Sequence, residues 1–271
     1  MINKTVIYRW ILSILCFRPL NVIIVFFVKL FSPFIPEKIL IRVPVTGKIT
    51  VDLPQNKKLF LMSDGQDHIA SALFWKGLDA FEKNTVKCFY EMLKSSNIIL
   101  DIGANTGIYA LIAAITNPHA TVYAFEPVPR IFQCFKKNTS TNGLTNLHIY
   151  PYAVTNYNGH ADLYIPDDSA GDVPTTSSMI KGHRPSQKTI NVPAITIDTF
   201  IAQNNIPKID LLKIDTESTE PLVLEGALNT IQKYRPSIIC EVLKNQTESH
   251  LQKIMVGLSY KSFWICDAIP R

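Results

Sequence analysis

Cysteine is scarce in this chain of 271 residues, and its five copies, Cys16, Cys88, Cys134, Cys240 and Cys266, are scattered with no C-x-x-C pair. That spacing excludes a zinc knuckle and a dithiol redox centre, and reduced thiols of this kind fit a cytoplasmic compartment. The six histidines contain no H-E-x-x-H, which removes the helical zinc-hydrolase arrangement. No G-x-x-x-x-G-K-[ST] occurs, so a P-loop is not the basis of any activity. Internal repeats and low-complexity tracts are also lacking. Charge is modest at 18% against 47% hydrophobic residues, a balance that excludes a disordered chain. Asn138 and Asn245 head glycosylation sequons, which in a cytoplasmic protein are coincidence.

Acids are nearly missing from residues 1–45, where Lys4, Arg9, Arg18, Lys29, Lys38 and Arg42 face only Glu37. That segment accounts for the whole formal charge of +5 and leaves residues 46–271 neutral, so a basic nucleic-acid groove on the body is excluded. Val6 to Phe31 is the most apolar part of the chain, yet Arg18, Pro19 and Asn21 interrupt it. Three readings stay open: a marginal membrane span, two helices (Thr5 to Phe17 and Leu20 to Phe31) lying in a membrane interface through residues 5–31, or helices packed on protein. A cleaved leader is disfavoured because no small-x-small site follows.

The body divides into residues 46–95, a β-hairpin and helices, and residues 96–271, a strand-and-helix domain. Lys48 to Leu53 and Lys57 to Met62 alternate around Pro54-Gln55-Asn56, a hairpin signal. Ile69 to Leu93 predicts two helices parted near Lys76-Gly77. Strand 98–102, helix 108–116, strand 121–125, helix 130–141 and strand 147–150 follow. After them come strand 209–214, helix 221–234, strand 237–242 and helix 247–257, with a short run over 260–266. This alternation implies βαβ crossovers and a parallel sheet. Residues 166–187 form the one long irregular stretch; with His160, Thr176, Ser177, Ser178 and His183 it is a candidate lid over a substrate, with strands 161–165 and 190–197 pairing at its base.

Asp101-Ile-Gly-Ala-Asn-Thr-Gly107 lies where a strand becomes a helix, and Glu126 ends the next strand. Glycines there let the backbone turn and approach a ligand, while an acid at the second strand end suits a ribose diol. The spacing Gly103-x-x-x-Gly107 departs from G-x-G-x-x-G, and the leading carboxylate of Asp101 repels a pyrophosphate but suits a sulfonium and an ammonium. The nucleotide so indicated is S-adenosylmethionine, and a nicotinamide dehydrogenase is disfavoured.

Several motifs agree in order with one family. The glycine turn, Phe125-Glu-Pro127, Ile197-Asp198, Asp210-Leu-Leu-Lys-Ile-Asp215 with Glu217 and Glu220, Leu224-x-Gly226-Ala227, and Arg235-Pro236 with Glu241 resemble the FkbM family of class I methyltransferases from about Phe81 to Val242. The resemblance implies a Rossmann-like, doubly wound, mostly parallel α/β sheet with an N-terminal helical and β appendage. It also implies adenosylmethionine-dependent methylation of a hydroxyl on a saccharide or related natural product. By this match Asp101, Gly103, Ala104, Asn105 and Gly107 surround the methionine part of the cofactor and Glu126 its ribose. One departure stands out: Ser218 occupies a position where the family commonly has glycine, so a backbone with φ > 0 there carries strain.

Strand ends are where an open α/β sheet binds ligands, and Asp101, Glu126, Asp215 and Glu241 all sit there. A sugar hydroxyl needs a base to take its proton, and Asp215 and Glu217 are the candidates. Lys213 is a candidate to hold their charge or steady an alkoxide, although alternation along the strand assigns it to the face opposite Asp215. An alternative has Asp215, Glu217 and Glu241 binding Mg²⁺. The acceptor expected is a small molecule or glycan, carried on a lipid if the apolar segment meets a membrane. The rival to an enzyme is a membrane-associated interaction protein that keeps the fold without catalysis, suggested by Ser218 and the short C-terminal run.

Overall fold

The computed structural model describes residues 10, 12–166, 179, 187–244 and 246–266. The first full helix, α1 (Arg18–Phe31), carries Pro19 in its first turn, where a missing N–H breaks no helical hydrogen bond. The predicted break at Arg18-Pro19 is therefore the start of a helix; the helix predicted before it falls partly outside the described residues. A single turn, α2 (Glu37–Leu40), leads to the hairpin β1 (Thr46–Leu53) and β2 (Lys57–Asp64), paired antiparallel as the alternation predicts. Gln55 and Asn56 in its turn both take positive φ, the left-handed geometry that matches strand twist. Helices α3 (His68–Lys76) and α4 (Lys83–Leu93) follow, parted at Gly77–Ala80 as expected.

Next come β3 (Ile98–Ile102), α5 (Ile108–Thr116), β4 (Thr121–Phe125), α6 (Pro129–Thr141) and β5 (Leu147–Tyr150). A second, three-stranded sheet holds β6 (Ala153–Val154), β7 (Gly159–Pro166) and β8 (Gln187–Ile195), with β8 in the middle and antiparallel to β7. The chain ends through α7 (Ile197–Gln203), β9 (Leu211–Ile214), α8 (Glu220–Glu225), α9 (Leu228–Tyr234), β10 (Ser237–Cys240) and α10 (Glu248–Gly257). His183, Thr176, Ser177 and Ser178 of the expected lid lie outside the described residues, and His160 is exposed on β7.

The main sheet runs β10-β9-β3-β4-β5 with every neighbouring pair parallel, a doubly wound α/β arrangement. From β3 the chain first builds outward through β4 and β5, then returns to add β9 and β10 on the other side. The crevice at this reversal, outside the carboxyl ends of β3 and β9, is where such sheets bind ligands. Residues 108–114 of α5 are buried all round because the helix lies between the sheet and the hairpin; its side chains share one apolar cluster with Ile49, Val51, Leu59 and Leu61.

Several boundaries differ from the sequence reading: the strands predicted over 190–197, 209–214 and 237–242 are Gln187–Ile195, Leu211–Ile214 and Ser237–Cys240. The helix predicted over 221–234 is two helices, parted at Gly226 and Ala227, where a Cβ on Gly226 would lie 2.1 Å from the Thr155 carbonyl oxygen.

α6 does more than cover the sheet. The Asn138 side chain accepts from the Met62 N–H (2.8 Å) and donates to the Thr106 carbonyl (2.9 Å), while Asn142 accepts from the Phe60 N–H (2.9 Å) and donates to the Phe60 carbonyl (2.7 Å). Two amides thus take the place of a neighbouring strand along β2, an edge otherwise left with unpaired backbone groups. Asn138 is 1% exposed, so its sequon is sterically closed.

Candidate active site

β3 delivers the glycine turn to the switch point. The Gly103 and Ala104 N–H groups donate to the Phe125 carbonyl at 3.0 and 2.9 Å, which ties the turn to the end of β4. Gly103 has φ +78°, and a Cβ there would fall 1.8 Å from the Asp215 carbonyl oxygen; only glycine lets the two strand ends meet. Asn105 also takes a left-handed φ of 52°, which its side chain supports by accepting from the Thr106 N–H at 2.8 Å. Gly107 lies elsewhere: its missing Cβ makes room for the Phe135 ring, 2.1 Å from where that atom would be, and it does not line the cavity. In this structure the position serves the packing of α5 against α6.

The acids that end the strands are held by backbone. Glu126 accepts from the Asn105 N–H (3.0 Å) and the Val128 N–H (2.8 Å), and burial pushes its carboxyl up to about 7. Asp101 accepts from the Ala110 N–H in the first turns of α5 (2.9 Å), and burial raises it likewise to about 7 against the pull of Lys213. Lys213 stands opposite Asp101 in the β3–β9 register. Its Nζ lies 3.0 Å from Asp215 Oδ2 and 4.7 Å from the centroid of the Tyr109 ring, within cation–π reach. Burial alone would lower the ammonium, but Asp215, Glu82 and Asp101 together hold it above its usual range. Residues two apart in a strand share a face, so the alternation argument that parted Lys213 from Asp215 is corrected.

The loop after β9 is shaped by Glu220, whose Oε1 accepts from the Thr216 N–H (3.0 Å), the Thr216 hydroxyl (3.2 Å) and the Ser218 N–H (3.2 Å). Glu220 is wholly buried, so its role is larger than a favourable charge at a helix start. Glu217 and Ser218 both take positive φ, 54° and 86°; Ser218 adopts the conformation that glycine would, and donates its hydroxyl to Gln246 Oε1 at 3.0 Å. At the end of β10, Glu241 is hydrogen-bonded to the Asp215 carboxyl, and burial plus the charge of Asp215 pushes it up to about 9. Two carboxyls share such a bond only while the pair holds a proton, a state that the raised Glu241 favours. Its Oε2 is buried without a partner among the described residues.

These groups converge. A cavity of about 290 Å³ is lined by Asp101, Gly103, Ala104, Asn105, Glu126, Lys213, Asp215, Glu217 and Glu241. It brings together every predicted site residue except Gly107. Sequence reasoning passed over Glu82, which reaches the cavity from the turn before α4 and accepts from the Tyr109 hydroxyl at 2.6 Å. Its left-handed φ of 36°, unusual away from glycine and asparagine, is a feature of the backbone that no local motif announces. Met179 of the expected lid also lines the cavity. Among the described residues no group of three or more His, Cys, Asp or Glu side chains is arranged to hold a metal ion.

The chain is 27% identical over 157 residues to 31-O-demethyl-FK506 methyltransferase FkbM of Streptomyces tacrolimicus, an alignment covering 49% of this chain and 60% of that protein. It is 25% identical to the hexuronic acid methyltransferase AglP of Haloferax volcanii (56% and 58% covered) and 26% identical to the 2-O-methyltransferase NoeI of Sinorhizobium fredii (52% and 62%). The chain thus spans about 60% of the length of the curated relatives it matches. Among solved structures, methyltransferase FkbM from Methylobacillus flagellatus KT aligns with TM-score 0.41 and 16% identity, over 59% of this chain and 37% of that one. Residues 101–261, from the leading acid of the glycine turn to just past α10, match the model of the methyltransferase FkbM domain. With more than half of its length inside that match, the chain belongs to the FkbM methyltransferase family.

Proposed function

We propose that the protein is an S-adenosylmethionine-dependent O-methyltransferase acting on a hydroxyl of a saccharide or related natural product. The observation that carries this reading is the meeting of the glycine turn and the Asp215 loop across one cavity, with a carboxyl pair and a buried lysine on its wall. Relatives named for a hexuronic acid, a 2-O position and a 31-O position support an oxygen acceptor.

The residues present fit the cofactor. Glu82, Asp101 and Asp215 surround a single lysine, so the cavity favours a cation, and its volume stands at the lower end of the roughly 300–1,000 Å³ of small-ligand sites. In this reading Asp101, Gly103, Ala104 and Asn105 hold the methionine end and Glu126 the ribose. When bound, S-adenosylmethionine supplies the methyl group, which leaves its sulfur for the acceptor oxygen.

Asp215 takes the acceptor's proton. Its carboxylate is about a quarter exposed (28%) on the cavity wall, whereas Lys213 beside it is 3% exposed, so the lysine fixes the base without competing for the acceptor. Protonated Glu241 donates to the other side of Asp215 and keeps it aimed. Glu217, on the same loop, is placed to accept from a second acceptor hydroxyl. A lipid-linked acceptor and a site on the cytoplasmic side of a membrane complete the reading; all five cysteines are free, and large apolar side chains of α1 face outward.

Calorimetry on the folded chain tests the first half: S-adenosylmethionine binds, and Glu126→Ala abolishes binding. Heat-silent titration of the intact chain sinks the reading. For the second half, Asp215→Asn lowers kcat by about 10²–10⁴ while leaving cofactor binding in place. Glu241→Gln, which still donates, retains far more activity than Glu241→Ala. Saccharides from cells with and without the protein should differ in mass by one CH₂.

A further inference from the structure

Outside the cavity, the outer face of α1 is the feature the chemistry leaves unused. One stripe of this helix, Asn21, Ile24, Val25 and Val28, turns toward the protein. Asn21 is 1% exposed; its amide donates to the Leu15 and Pro44 carbonyls (2.7 and 2.9 Å), and its Oδ1 accepts from the Thr46 N–H and hydroxyl (2.9 and 3.0 Å). The polar residue that interrupts the apolar run in sequence is thus a fully satisfied tether to β1. On the other side Val22, Ile23, Phe26, Phe27, Leu30 and Phe31 are each 54–65% exposed, a contiguous apolar surface of a kind soluble monomers rarely show.

We propose that this face is an in-plane anchor that seats on a bilayer carrying anionic headgroups. Charge selects the occupant. Arg18 and Lys29 on α1, and Lys38 and Arg42 in the eleven residues after it, are exposed, while Glu37, the single acid of residues 1–45, lies 3.3 Å from Lys76. A second copy seated on the same face would set these bases against their own counterparts, whereas anionic lipid pairs with them. Length selects the mode. The 14 residues of α1 span about 21 Å, short of the roughly 30 Å of a hydrocarbon core. Among the described residues no helix is long and apolar enough to cross a membrane. The proposal goes beyond the methyl-transfer reading and does not depend on it.

Co-sedimentation of the full chain with vesicles tests it. Vesicles of phosphatidylcholine with phosphatidylglycerol bring the protein down; vesicles of phosphatidylcholine alone, or high salt, weaken binding about tenfold or more. The double substitution Phe26→Glu with Phe27→Glu lowers partitioning at least as much, with an unchanged circular dichroism spectrum and unchanged cofactor titration. A chain that stays in solution beside anionic vesicles overturns the proposal. So does a lipid-free dimer that the same double substitution dissolves, which identifies a second copy as the occupant. Resistance to alkaline carbonate extraction from cell membranes overturns the in-plane mode.

Discussion

Ser218 shows what a single departure from glycine costs. Its φ of 86° is one that a Cβ disfavours by roughly 1 kcal/mol, and the loop keeps it because Glu220 collects three hydrogen bonds beneath it and Gln246 takes the serine hydroxyl. Ser218→Gly removes both the strain and the Gln246 bond, while Ser218→Ala removes only the bond. The glycine variant is therefore expected to be the more stable of the two by about 1 kcal/mol, read from urea midpoints at constant m-value. Equal midpoints would mean the serine backbone is relaxed. Glu241 teaches a related lesson. Its place at a strand end was legible in the sequence, but the proton it shares with Asp215 depends on burial and on a neighbour 26 positions away.

Elements with local causes were read well. β3, α5, β4 and β5 have the predicted bounds because each is a short apolar run closed by turn residues, and such signals lie within the run itself. The split between α8 and α9 was not legible; the group that Gly226 approaches there, the Thr155 carbonyl, lies 71 positions away in sequence. Nor was Glu82, brought to the cavity by packing of the hairpin and α3 rather than by any pattern around it. The strand-like pairing of α6 with β2 is a third case, because asparagines in a helix read as weak helix formers until their partners are known. Asn138→Leu keeps the volume but strands the Thr106 carbonyl in the interior and leaves the part-buried Met62 N–H without its acceptor. A loss of about 2–4 kcal/mol is expected by chemical denaturation, against under about 1 for Asn142→Leu if the half-exposed partner regains water.

At the scale of the whole molecule, buried carboxyls set how stability follows pH. Asp101 and Glu126 are raised to about 7 and Glu241 to about 9, against about 4 in an unfolded chain. Each holds its proton more tightly when folded, so each contributes stability in full below pH 4 and loses it as pH rises through its folded value. The melting temperature should fall between pH 5 and 9, with Glu241→Gln gaining on the parent across that range and the gap levelling above it. A parent curve that is flat from pH 5 to 9 would contradict this. Charge is divided as it is in the sequence: four exposed bases lie on α1 and in the eleven residues after it, and Asp101, Glu126, Asp215 and Glu241 lie at the strand ends.

The contact between Gly103 and the Asp215 carbonyl has one more consequence. Because a main-chain atom of one turn fills the space where the other would carry a side chain, neither turn can shift without displacing its neighbour. In the proposed reaction, the side of the crevice assigned to the methyl donor and the side assigned to the base are therefore joined by a main-chain contact. In that reading a ligand enters and leaves past other walls of the cavity, while this contact stays in register.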